Sequence, residues 1–186
     1  MRYPLAKNLP ERVLACLLLL PVTLFADSLP SEDGPVGFNP PRYEEKPAWQ
    51  EQPVVLPAWP HSEHLIELAV NNRGAPFETF IDSNSISVAE DGVVRFTSVQ
   101  ISSNGVWNVT YEGLHCGKRA YRRYAYGIRE QWHLLHGSDW QRLTTEGTGR
   151  YRYVLYKYFM CRTAESRKDA SQIVQKLRYP PSFIQE

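Results

Sequence analysis

From residue 63 to residue 126 the chain alternates short apolar runs with polar turn signals, the pattern of successive β-strands. Leu65 to Val70 is the first run, closed by Asn71-Asn72-Arg73-Gly74. Phe77 to Ile81 follows, then a polar link at Asp82-Ser83-Asn84, then Ser85 to Ala89. Val93 to Ser102 is rich in β-branched residues, Val106 to Glu112 ends at Gly113, and Arg119 to Tyr126 closes the series. Asp91-Gly92 and Asn104-Gly105 are tight-turn signals between strands this close together, so an antiparallel meander is expected.

The period then changes. Tyr151, Val154, Leu155, Tyr158 and Phe159 recur at helical spacing, with Thr148 as the expected N-cap. In a second helix Ala170, Ile173, Val174 and Leu177 share one face. Ser166 and Asp169 resemble a capping box before it, and Tyr179-Pro180-Pro181 stops it. The expected fold class is α+β: a twisted antiparallel β-sheet of about five or six strands with one or two C-terminal helices packed on one face.

Residues 27–62 read differently. They are rich in proline and show no apolar period, which predicts an extended, irregular segment. Residues 27–42 are expected to be flexible. From about Tyr43 onward Trp49, Val54, Val55, Leu56 and Trp59 are bulky anchors of a kind free linkers seldom carry, so residues 43–62 are expected to lie on the domain surface and cover a sheet edge. The domain proper is expected to span 43–162, and 163–186 to hold the last helix and a tail.

The first 26 residues have the form of a secretory signal. Arg2, Lys7 and Arg12 precede an apolar stretch from Val13 to Ala26, and cleavage is expected before Asp27. That stretch is well short of the ~20 residues a membrane-spanning helix needs. Cys16 stands before the apolar run rather than after it, which does not suit a lipid-attachment box. Export then leaves 160 residues, enough for one domain and no second, with no transmembrane segment.

Two of the three cysteines survive cleavage, Cys116 and Cys161. In an oxidising compartment they most simply form a disulfide, closing a loop of about 45 residues worth up to ~4 kcal/mol. Metal ligation and catalytic redox chemistry are alternatives, but the two are far apart and no C-x-x-C is present.

The net charge of +1 conceals a division. From Asp27 to Gly117 there are 13 acidic residues against four basic; from Lys118 to Glu186 there are 14 basic against six acidic. The halves can neutralise each other on folding, or the second half can present a basic face to an anionic partner. Basic and aromatic residues interleave at Arg119 to Tyr126 and Arg150 to Tyr153, making Arg119, Arg122, Arg123, Arg150 and Arg152 a candidate anion-binding surface. Export argues against nucleic acid as the partner.

Catalytic patterns are sparse. Gly-x-Ser-x-Gly is absent. A carboxylate pair for glycoside chemistry can be drawn only from Asp82, Asp91 and Glu112, two of which stand at expected strand ends and turns. His61 with His64 and His133 with His136 have a spacing that can share a helix face, yet neither has a thiolate or carboxylate in a known ligand arrangement. The sequence implies no metal and no cofactor.

From about Tyr43 to Cys161 the chain resembles the cryptic neisserial protein-like family of exported bacterial proteins. The resemblance rests on Trp49-Gln50-Glu51, Leu56-Pro57, Pro60, Phe80-Ile81-Asp82 with Ser85, and Asp91-Gly92-Val93-Val94-Arg95. It continues through Asn108-Val109, Tyr111-Glu112-Gly113 with Cys116, Tyr124-Ala125 with Gly127, Trp140, and Tyr158-Phe159 with Cys161. Phe96, Val106-Trp107 and Gly149 depart from the family's usual residues. The resemblance implies a Gram-negative periplasmic or outer-envelope address and a shared fold; both cysteines fall on family positions. It carries over no catalytic residues. The expected function is a non-enzymatic binding module for an envelope protein or anionic envelope polymer; the alternative is a carboxylate-based hydrolase acting on a cell-wall or glycan substrate.

Overall fold

The computed structural model describes residues 45, 47–68, 76–161 and 169–182. The signal segment, the proline-rich segment to 42, Val70 with the Asn71–Gly74 turn, and Ser166 lie outside the described residues.

Among the described residues, seven strands form one antiparallel sheet: β1 Leu65–Glu67, β2 Phe77–Val88, β3 Val93–Ser102, β4 Trp107–His115, β5 Ala120–Ile128, β6 Gln131–Leu134 and β7 Gln141–Arg142. They run in chain order from β1 to β6, and β7 pairs with the opening residues of β5, leaving its far end to β6. The expected α+β meander is thus present, with two short strands beyond those the apolar runs marked. β6 and β7 escape a pattern search because they are mostly exposed and polar.

Two strands are longer than their sequence suggests. Asp82-Ser83-Asn84 does not separate two strands; β2 continues through it with a register shift against β3 between Asp82 and Ser87. The hydroxyl of Ser85 fills the gap, accepting from the Thr97 amide at 2.8 Å and donating to the Asp82 carbonyl at 2.8 Å. Gly113 does not end β4, which runs on to His115. A methyl group on Gly113 would lie 2.5 Å from the Tyr124 hydroxyl and 2.8 Å from Val93 Cγ1, so the glycine is a crossing point for a tyrosine.

The C-terminal part packs on one face of the sheet. A 3₁₀ turn at Gly147–Gly149 leads into α1 (Arg150–Val154), which continues as a π-helical segment, Leu155–Met160. Thr148 is not the N-cap: Gly149 holds that position without a side-chain cap, and the Arg150 amide donates to Gly147. The wider π turn keeps Leu155, Phe159 and Met160 together on the buried side. Helix α2 (Ala170–Arg178) is capped by Asp169 itself, whose side chain accepts from the Gln172 amide at 2.8 Å, so the capping-box arrangement is not used.

Even-numbered residues of β3 and β4, such as Val94, Phe96 and Leu114, meet Val154, Leu155, Phe159, Met160, Ile173 and Leu177 in the main core. Cys116, just past β4, is bonded to Cys161 at the end of the π segment, with Cα atoms 5.7 Å apart. Odd-numbered residues face the other way, where Tyr111, with Tyr124 and Ala125 from β5, packs against Val54, Leu56 and Trp132. The proline-rich arm therefore crosses a face of the sheet and does not merely cover an edge. The reason is its anchors Trp49, Val54, Leu56 and Trp59, whose partners lie on that face, whereas Val55, 80% exposed, is not an anchor.

Candidate functional site

Among the described residues, one carboxylate is buried on the helix face. Glu112 is fully buried, because β4 aims it at α1 between Phe96 and Leu114. One oxygen accepts from the Ser98 hydroxyl at 2.6 Å and from the Tyr151 hydroxyl; the other accepts from Arg152 Nε. The Arg152 guanidinium lies 4.3 Å from the ring centre of Tyr121 and 4.5 Å from that of Tyr151. Burial, and then the charge of Glu112, push the Tyr151 hydroxyl well above the usual tyrosine range. Burial works against the charge on Arg152, but Glu112, Tyr151 and Tyr121 together outweigh it and hold the guanidinium ionised. Both oxygens of Glu112 are spoken for, so the cluster is a brace between sheet and helix.

The arm face carries a longer polar chain. Asp91 accepts from Arg95 at 2.6 Å, from the Val93 amide at 3.0 Å and from the Gln52 amide of the arm at 2.9 Å. Burial would raise the Asp91 carboxyl, yet the hydrogen bonds from Arg95, Gln52 and Val93 together bring it below the usual carboxylate range. Arg95 also donates to the Gln52 carbonyl at 3.2 Å and stands 3.8 Å from Glu51. Glu51 in turn accepts from Arg122 at 2.7 Å and from the Tyr124 hydroxyl at 2.6 Å.

Aromatic rings close both ends of this chain. Trp49 donates to the Asp91 carbonyl and packs 4.7 Å from His115 and 6.1 Å from Trp140, with the Lys118 ammonium 3.7 Å above it. At the other end Trp132 donates to the Pro57 carbonyl at 3.0 Å. Trp59 lies so close over Gly127 that an added Cβ would be 2.4 Å from its ring.

Past Trp59 the arm face opens into a groove of about 410 Å³. Trp59, His61, Trp107, Arg129 and Glu130 line it, with Gly127 in its wall. Trp107 is 37% exposed. Arg129 and Glu130 form the two-residue turn between β5 and β6, and both have left-handed backbone, with φ of 49° and 62°.

The five arginines of the candidate anionic surface are distributed. Arg122 faces the arm and pairs with Glu51; Arg152 faces the sheet and pairs with Glu112. Arg119 is exposed in the β4–β5 turn with φ of 51°, Arg123 is exposed on β5, and Arg150 opens α1 half-buried. Two of the ion pairs, Glu51–Arg122 and Glu112–Arg152, join the acidic half of the chain to the basic half. Asp82, Asp91 and Glu112 do not converge: Asp82 sits in the β2 irregularity, where burial raises its carboxyl despite a hydrogen bond from the Asn84 amide. His133 stacks on Tyr126, His61 lines the groove and His64 lies beside Glu63. No three potential metal ligands cluster among the described residues. The sequence marks Glu51, Arg95 and Tyr124 only as positions of the family resemblance and assigns them no site; the available signal was Arg95, a charge set between Val94 and Phe96 inside a strand.

Residues 44–178 match the model of the CNP1-like family. The chain belongs to that family. It is similar to Cryptic neisserial protein 1 of Neisseria gonorrhoeae (strain ATCC 700825 / FA 1090), with 28% identity over 200 aligned positions covering 91% of this chain and 96% of that protein. No solved structure matches it. The family match spans the arm, the sheet and both helices, so the clamped arm belongs to the family's shared region. No helix among the described residues is long and apolar enough to cross a membrane.

Proposed function

We propose that this chain is an exported protein of a Gram-negative envelope with a non-enzymatic binding role, engaging another protein or an anionic envelope polymer. The charged start and apolar run to Ala26 support the export half of this reading, together with the pairing of Cys116 with Cys161 and the neisserial relative. The observation that carries the binding half is the placement of the carboxylates. Glycoside hydrolysis needs two carboxyl groups facing one bond across roughly 5–10 Å. Here Asp91 is turned to the arm and Glu112 to the helices, on opposite faces of the sheet, and each is held by an arginine. Asp91 and Glu112 are therefore not the facing pair that the hydrolase alternative draws on, and Glu51, which shares Arg95 with Asp91, is engaged by Arg122 and Tyr124.

The test joins N-terminal sequencing to in vivo crosslinking in the native host. The mature protein should begin at or near Asp27, be recovered from the envelope fraction, and crosslink reproducibly to one envelope component. An intact Met1 would overturn the export reading. Hydrolysis of an envelope glycan that Glu112→Gln or Asp91→Asn abolishes would overturn the binding reading.

A further inference from the structure

Every arginine that packs against the sheet interior has an acid: Arg95 has Asp91, Arg122 has Glu51 and Arg152 has Glu112. The charged residues of the groove at the end of the arm are exposed in the β5–β6 turn and stand outside that rule. Arg129 and Glu130 line the groove, adjacent and of opposite sign, and neither has a salt bridge to another described residue. They also occupy the two left-handed positions of a two-residue hairpin, where Asn-Gly would sit without strain. Trp107 contributes an indole with no hydrogen bond or ring contact among the described residues, although Trp49, Trp59, Trp132 and Trp140 all pack against other rings.

Aromatic surface, one donor-rich cation, one acceptor-rich anion and the imidazole of His61 thus surround about 410 Å³ of open space. An anionic ligand would meet Glu130. A purely apolar one would strip water from Arg129 and Glu130 without replacing it. A neutral ring with apolar C–H faces and a rim of hydroxyl groups suits all four: the C–H face stacks on an indole, while hydroxyls donate to Glu130 and accept from Arg129. We infer that the Trp59–Trp107 groove is a binding site for a neutral pyranose unit of a glycan, with Trp107 as its platform and Arg129 and Glu130 as its polar rim. Trp59 belongs to the arm, so the site is assembled only when the arm is clamped on the sheet. This inference goes beyond the binding reading above, because it names a neutral glycan where that reading names a protein or an anionic polymer.

The experiment titrates chitobiose, cellobiose and a neutral hexapeptide into the mature protein, following the five tryptophan indole N–H signals by NMR. Saturable shifts of the Trp107 and Trp59 signals with a disaccharide are expected, leaving Trp49 unmoved. Trp107→Ala should weaken that binding by about tenfold or more, an aromatic contact's worth, without lowering the melting temperature. The double variant Arg129→Asn with Glu130→Gly should melt higher, because the turn is relieved, and yet bind the sugar more weakly. Shifts with the hexapeptide alone, no saturable shift with either sugar, or unchanged affinity in both variants would overturn the sugar site. The export and crosslinking results do not depend on this titration, so failure of one leaves the other standing.

Discussion

On the helix face, Phe96, Leu114, Leu155, Phe159 and Met160 close around a single carboxylate, and a disulfide ties the end of the π segment to the end of β4. On the opposite face the same strands present Arg95, Tyr111 and His115 to a segment with no regular structure of its own. The helices satisfy their own backbone groups and need only apolar contact from the sheet. The arm, residues 47–61, has no ladder to join, so side chains must do that work: Trp49 and Gln52 bond to Asp91, Glu51 to Arg122 and Tyr124, and Pro57 to Trp132. A face held by apolar volume resists change everywhere; a face held by a few polar clamps opens when one clamp goes.

The sharpest break in that comparison comes from Glu112. Replacing it with Ala strands Arg152 in a site where its side chain is 12% exposed, and breaking a pair this buried costs about 3–5 kcal/mol. Urea unfolding should show a loss of that size, and loss of the whole domain's cooperative transition rather than of one segment. Glu112→Leu combined with Arg152→Met should recover most of the loss, because the brace then becomes apolar like its surroundings. If the double variant is no more stable than Glu112→Ala, the helix face depends on charge as the arm face does, and the contrast fails.

Glu51→Ala tests the other side. It removes an acceptor shared by Arg122 and Tyr124, at a cost of about 1–3 kcal/mol by the usual worth of hydrogen bonds to a charged group. The local effect should exceed the global one: hydrogen exchange at the Gln52 amide, now held by Asp91, should accelerate far more than at Phe96 or Leu114 in the sheet. Equal acceleration at all three would mean that arm and sheet unfold as one unit.

The same contrast decides what the sequence reveals. The helix face obeys alternation and helical period, so Val93 to Ser102 and the apolar face of the second helix are legible directly, as is the pairing of Cys116 with Cys161. The arm face is not periodic. Glu51, Arg95 and Tyr124 are far apart in sequence and unremarkable alone; only folding brings them within hydrogen-bonding distance. Thr148 as a cap and Asp82-Ser83-Asn84 as a loop are local rules overridden by context, the first by a 3₁₀ turn and the second by the Ser85 hydroxyl. The Arg129-Glu130 turn is invisible for the reverse reason: it puts two charged residues where turn chemistry favours Asn-Gly.

The smallest expected effect concerns pH. His115 is buried on the arm face between Trp49 and Trp140, and its Nδ1 accepts from the Lys118 amide, so the neutral ring carries its proton on Nε2. Burial first, then the nearby Lys118 charge, hold its pKa below 6.5, with Asp91 and Glu51 pulling more weakly the other way. The native state therefore takes up this proton less readily than the unfolded chain, and stability rises with pH between the folded value and about 6.5. Acidification through that window should lower the urea midpoint of the wild-type protein, and His115→Gln should lose less over the same range. Asp82 runs oppositely, since burial raises its carboxyl and favours the native state as it protonates; it is common to both proteins and cancels in the difference. A wild-type and His115→Gln pair that fall in parallel from pH 7 to pH 5 would mean that His115 is not held neutral beneath the arm.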